Sequence, residues 1–130
     1  MPRVLYADDW ATLTLHEAIG VVRYERTEKP YASIDELKQE YANLGKAVPV
    51  VAPGLKLLVD VRRAPPRNDE AFESRVNEAL ATLLRPFAKH ALLVRTHAGK
   101  LQGARMARER GNAPHVFDDE RAALAYLAAP

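Results

Sequence analysis

Four residues in this chain have the types needed for acid–base chemistry: Asp60, Thr96, His97 and Asp118. Each falls at or just beyond the end of a stretch that reads as a β-strand. In open α/β sheets, ligands bind beyond the carboxyl ends of the strands, so parallel strands would bring these four toward one edge. A histidine facing a carboxylate there could move protons. No nucleophile motif accompanies them, since neither GxSxG nor HExxH occurs. The sequence therefore points away from an enzyme. The four histidines, His16, His90, His97 and His115, form no HxH or helical i, i+4 pair, and there is no cysteine. No metal and no cofactor are expected on those grounds.

A second constellation lies in "LLVDVRRAPPRNDEAFE", Leu57 to Glu73. An apolar run ends in Asp60, passes a basic, proline-broken turn with Arg62, Arg63 and Arg67, and enters an acidic helical segment through Asn68, Asp69 and Glu73. Arginines beside a helix N-terminus can cradle an anion. Here Asp69 and Glu70 already occupy the first turn, where the helix offers only about half a positive charge. A solvated helix start with Arg–carboxylate pairs is the simpler reading, and it leaves Arg62, Arg63, Arg67, Asn68, Asp69 and Glu73 as a surface for a protein partner. Asp60 itself must find Arg62, Arg95 or a backbone N–H, because an unpaired carboxylate in an apolar run is costly. "RTHAGKL" is no phosphate loop, since Val94 and Leu101 stand where that motif needs Gly and Ser or Thr. "GARMARERG" is basic but carries Glu109 and no interleaved aromatics, so nucleic acid is not expected as a partner.

The elements that position these residues follow from periodicity. "TLTLH" (Thr12 to His16) alternates as a half-buried strand, and "IGVVRYE" (Ile19 to Glu25) is β-branched and aromatic; Arg3 to Tyr6 adds an edge strand. Ser33 with Glu36 three residues on forms a capping box, and Ile34, Leu37, Tyr41 and Leu44 draw an apolar stripe toward a C-cap at Gly45. Leu55 to Val61 reads as a central strand covered on both faces. Asn68 then caps a helix with its stripe at Phe72, Val76, Leu80, Leu83 and Phe87, ended by Pro86. Ala91 to Thr96 is another buried strand, "AGKLQGARMARERG" a helix closed by Gly111, and His115 to Phe117 a brief strand. Asp118 caps a last helix. Trp10 and Tyr126 are packing aromatics, either of which could cover a dimer seam.

Strands alternating with helices predict an α/β fold: a mixed, mostly parallel sheet of four to six strands flanked by about four helices. The 130 residues make one domain, 1–130, with 48% hydrophobic residues to build a core. The formal net charge of +2 is spread evenly, with nine acids and nine bases in residues 1–65 and eight acids and ten bases in 66–130, so neither half is a basic arm. No stretch reaches the roughly 20 apolar residues of a membrane span, the N-terminus lacks a signal-peptide pattern, and cysteine is absent; a cytoplasmic location is expected. Thirteen arginines against six lysines, with abundant alanine, suggest a GC-rich bacterial source.

With this element order, "LKLLVDVRRAP", "FAKHALLVRTHAGKLQGARMARERG" and "VFDDERAALAYL" make the chain resemble the STAS domains, closest to the stage II sporulation anti-sigma-antagonist-like proteins of bacteria, over roughly residues 12–128. The resemblance implies a mixed sheet flanked by helices and a regulatory, protein-binding role in signalling. In anti-sigma antagonists a serine at the start of the helix after the central strand is phosphorylated. That position here offers Asn68 and Asp69, and Ser74 lies a turn too late, so the switch does not carry over. The expectation is a non-catalytic adaptor gripping a protein through Arg62 to Asp69 and the helix face at Phe72, Glu73 and Val76, with homodimerisation possible. The alternative is a small apolar-ligand or lipid-binding module of the same fold, with Asp60, Thr96, His97 and Asp118 as its edge; an enzyme ranks third. An apolar pocket of roughly 300 Å³ or more would favour the ligand binder.

Overall fold

In the computed structural model, residues 2–48, 54–65, 70–109 and 115–130 are described. A six-stranded mixed sheet runs in sequence order, β1 (Arg3–Ala7), β2 (Ala11–His16), β3 (Val21–Arg26), β4 (Lys56–Asp60), β5 (Lys89–Leu93) and β6 (Val116–Phe117). The first three are antiparallel neighbours and the last four run parallel. The helices are α1 (Ile34–Ala47), α2 (Glu70–Leu84), α3 (His97–Glu109) and α4 (Glu120–Ala128). This is the α/β architecture expected from the alternation. Among the described residues, no helix is long and apolar enough to cross a membrane.

Each parallel step moves one strand in the same direction, so crossovers of one hand put α1, α2 and α3 on one face. Leu44 and Val48 of the α1 region and Leu80, Leu83 and Leu84 of α2 pack there on Leu13, Leu15, Val22, Leu57 and Val59. α3 joins them through Gly103, where a Cβ would stand 2.8 Å from Leu92 Cδ2 and 3.2 Å from Val116 Cγ1. Glycine is what lets that helix lie so near the sheet. Among the described elements α4 alone covers the other face, setting Ala123 and Leu127 on Val21, Leu58, Ala91 and Leu93. β4 is buried on both sides by this arrangement, as its apolar run predicts.

β2 and β3 are the two separate strands expected: a 3₁₀ turn at Glu17–Ile19 and Gly20, at φ +65°, turn the chain back between them. Other local expectations need correction. Ser33 does cap α1, accepting from the Glu36 amide at 3.2 Å. Gly45, however, lies inside that helix, which runs on until its Val48 cap because Ala47 and Val48 still have apolar surface to bury against the sheet. β5 begins at Lys89 and ends at Leu93, earlier than the apolar run, since the partner β6 pairs only with Leu92 and Leu93. Asp119, not Asp118, caps α4 by accepting from the Arg121 amide. The capping expectations at Asn68 and Gly111 lie outside the described residues.

One core position is chemically unusual. Glu40 of α1 is 1% exposed, and no hydrogen-bond partner reaches either carboxyl oxygen. Burial first, then the neighbouring Asp8 carboxyl, pushes its pKa up to about 8 from 4.5. Between those values the folded chain holds a proton that the unfolded chain has released. Stability contributed by this site is therefore full below pH 4.5 and is lost as pH rises toward 8, by up to about 1.4 kcal/mol for each pH unit. Glu40→Gln should flatten that decline in urea titrations run from pH 5 to 8. An unchanged slope would show that Glu40 is already ionised in the fold.

Candidate functional site

The strand-to-helix junction after β4 is split in two by the pleat of that strand. Alternate residues face opposite sides of a sheet. Leu57 and Val59 face α1 and α2, whereas Leu58 faces α4, and Asp60 shares its parity. The acid that ends the apolar run is thereby directed to the α4 side, and the chain beyond it, through Val61, to the three-helix side.

On the α4 side Asp60 is held in a closed network. Arg23 of β3 donates from Nη1 to Asp60 Oδ2 at 2.8 Å and from Nη2 to Glu120 Oε1 at 2.7 Å. Arg62 donates to Asp60 from Nε at 3.0 Å, from Nη2 at 2.8 Å and from its amide at 3.1 Å, and reaches Glu120 at 3.0 Å. Two guanidinium groups face two carboxylates, so the cluster is neutral. Burial alone would raise the Asp60 carboxyl, but the Arg62 hydrogen bonds and the two arginine charges hold it below the usual carboxylate range. Its hydrogen bond from Arg23 lowers Glu120 likewise, and Asp60 raises Arg62. An acid satisfied by four donated hydrogen bonds is a fastener and a poor base.

On the three-helix side lies a cleft of about 680 Å³. Its floor is Val59, Val61, Leu92 and Val94; Phe72, Val76 and Leu80 of α2 and Gly99, Gly103 and Met106 of α3 form its walls. Polar tethers span α2 and α3: Glu73 accepts from Arg105 at 2.8 Å and Gln102 at 3.1 Å, and Asn77 donates to the Met106 carbonyl at 3.2 Å. Arg26, Tyr31, Arg62, Arg95 and Thr96 line the parts toward the strand ends.

The residues singled out by sequence scatter across this junction. Arg62 lines the cleft and closes the Asp60 network. Arg63 is 57% exposed and pairs at 3.4 Å with the exposed Glu28. Glu73 is mostly covered, tied to Arg105. Arg67, Asn68 and Asp69 lie outside the described residues. The supposed ligand edge does not assemble. Asp60 faces α4, whereas Thr96 lines the cleft on the other side and caps α3 by accepting from the Gly99 amide. His97 is exposed at the start of α3 and Asp118 is exposed before α4, and neither side chain makes a hydrogen bond or ion pair among the described residues. Asp60 pairs with the Arg62 side chain and its backbone N–H, two of the partners expected for it, and also with Arg23, which sequence did not offer.

Arg26, Tyr31 and Arg95 were missed as cleft residues. Arg26 carried a readable signal: it follows Val22 and Tyr24 at the spacing of two that marks the buried face of β3. Arg95 and Tyr31 gave none, because loops bring them to the cleft. No group of His, Cys, Asp or Glu among the described residues is placed to hold a metal ion.

Removing Asp60 leaves Arg23 and Arg62 sharing the single carboxylate of Glu120, and taking one partner from a buried pair typically costs about 3 kcal/mol. Asp60→Ala should lower unfolding free energy by about that amount, while Arg63→Ala, at an exposed pair, should change it by no more than about 0.5 kcal/mol. Equal effects in chemical denaturation would mean the network contributes no more than the surface pair. The Asp60 share of stability should also fade as pH falls below the ordinary carboxylate range, since a depressed native pKa delays protonation in the folded chain relative to the unfolded one.

No family model, curated protein or solved structure matches this chain.

Proposed function

We propose that this protein is a non-catalytic binding domain that holds a small, mainly apolar molecule between its sheet and helices α2 and α3. One observation carries the reading: the 680 Å³ cleft with a floor of valines and leucine at the strand carboxyl ends. That volume falls within the range of small-molecule sites, and apolar walls left in water gain free energy when a ligand covers them. The lining supports binding over bond-making. Among its described residues there is no histidine, and the one carboxylate, Glu73, is already engaged by Arg105 and Gln102. This inverts the order expected from sequence, where the protein adaptor stood first.

Val76→Trp places a bulky ring in the cleft from a half-buried position on α2. Nile red, a neutral apolar dye, should bind the parent protein and bind this variant about tenfold more weakly, with the circular dichroism unchanged. Equal dye affinity in a folded Val76→Trp protein would refute the cleft as the binding site.

The second reading is a STAS-like adaptor that resembles an anti-sigma-factor antagonist without its phosphorylatable serine, working in a bacterial cytoplasm. Its support is the exposure of Arg63 and of Leu101, which is 62% exposed, beside the cleft-lining Arg62 and Gln102. Affinity capture with an Arg63→Glu/Leu101→Asp bait separates the two readings. An adaptor should lose its partner with that bait and keep it with Val76→Trp; recovery of the same proteins by both baits and the parent would end the adaptor reading.

A further inference from the structure

Among the described residues, the cleft carries positive charge that no acid neutralises. Four ionic side chains line it: Arg26, Arg62, Arg95 and Glu73. Arg62 is matched by Asp60 and Glu120, and Glu73 by Arg105. Two arginines remain. Arg95, two residues beyond β5 and two before α3, makes no ion pair among the described residues, and the first turn of α3 holds no acid.

Arg26 is the more telling of the two, because it is only 8% exposed. Its Nε donates to the Trp10 carbonyl at 3.0 Å and its Nη2 to the Lys29 carbonyl. The guanidinium lies 4.5 Å from the centre of the Tyr31 ring. These contacts orient the group but offer it no counter-charge, and Nη1 has no partner in the described chain. A buried cation is ordinarily paired, because desolvating an unmatched charge is expensive. Arginine cannot escape that cost by losing its proton. Burial and the Asp8 carboxyl raise the Glu40 pKa and outweigh the lowering pull of the Arg26 charge, so the neutral form of Glu40 is favoured, and it makes no hydrogen bond to Arg26.

We infer that the ligand of this cleft is an amphipathic acid, whose apolar body lies on Val59, Val61, Leu92 and Val94 and whose carboxylate is received by Nη1 of Arg26, with Arg95 adding positive field from the β5 end. This rests on the cleft being the binding site. It goes further in naming the charge and chemical class of the occupant. Arginine suits the role because its planar fork remains able to donate after two of its N–H groups are committed to backbone carbonyls. An apolar wall with a few fixed polar groups is also how such sites set orientation.

Dodecanoate and dodecanol share a chain and differ in the head group, so their comparison isolates the charge. Binding is read from Trp10, which stacks on the cleft-lining Tyr31 with ring centres 5.8 Å apart, and from displacement of Nile red. Dodecanoate should bind at least about tenfold more tightly than dodecanol, the margin expected when a charge-assisted hydrogen bond is gained. Arg26→Gln should erase that margin while leaving dodecanol affinity in place. Arg95→Glu, at an exposed position that makes no ion pair, should narrow it several-fold without disturbing the fold, which keeps the test valid if Arg26→Gln fails to fold. Equal affinity for the acid and the alcohol, with Nile red bound, would overturn the acidic ligand and leave the cleft reading standing. Failure of all three probes to bind would overturn both.

Discussion

The geometry of the junction depends on how Asp60 is satisfied. A carboxylate at the end of a fully buried strand must be paired, and the pleat directs this one toward α4. Arg23 and Arg62 answer from two different segments, one on the neighbouring strand and one on the chain just beyond β4, and Glu120 completes the set from α4. The network therefore fastens β3, the β4 exit and the start of α4 at one place. The path of the chain after β4 is set by that fastening, since the Arg62 amide as well as its side chain is committed to Asp60. Ala64 and Pro65, which follow directly, then lie at the rim of the cleft on the opposite face.

The cleft exists because different forces hold its two walls. α1 and α2 share the large apolar cluster over β2, β3 and β4. α3 is drawn down at Gly103, toward β5 and β6. Polar tethers join α2 to α3, from Glu73 and Asn77 to Gln102, Arg105 and the Met106 carbonyl. Such tethers fix a separation between helices without filling the space beneath them. At Gly103 α3 touches the sheet so closely that a Cβ would meet Leu92, so the open space lies beside that contact, toward α2. A gap floored by Val59, Val61, Leu92 and Val94 is thus a consequence of where the two helices are anchored.

Much of the fold was legible in the chain because it is local. The Ser33 cap, the stripe through Leu37 and Leu44, the doubly covered run of β4 and the stop near Pro86 all follow from spacing within a few residues. Errors arose where pairing decided the boundary. Gly45 looked like a C-cap, yet apolar residues beyond it had a surface to meet; Asp118 and Asp119 are chemically alike, and only the backbone geometry selects the latter. The candidate site was harder to read for a different reason. Arg23 lies 37 residues from Asp60, and nothing in either segment marks the other. Placing Asp60 and Thr96 on one edge was sound as far as strand direction goes, but it ignored that residues at one edge can still face opposite sides of the sheet.

Arg26 and Glu40 show what a buried ionisable group can do when the protein gives it no ionic partner. Glu40 has a neutral form within reach, and burial beside Asp8 favours that form. Burial raises Asp8, but the neighbouring Glu40 carboxyl, the Tyr6 hydroxyl and the amides of Ala11 and Trp10 outweigh it and keep Asp8 the charged member. Arg26 has no such escape. Its charge persists, spread over a delocalised group and eased by two carbonyls and the face of Tyr31. The same core therefore holds an acid that gives up its charge and a base that keeps it. Only the second borders the cleft, so the imbalance of the interior is expressed where a ligand can reach it.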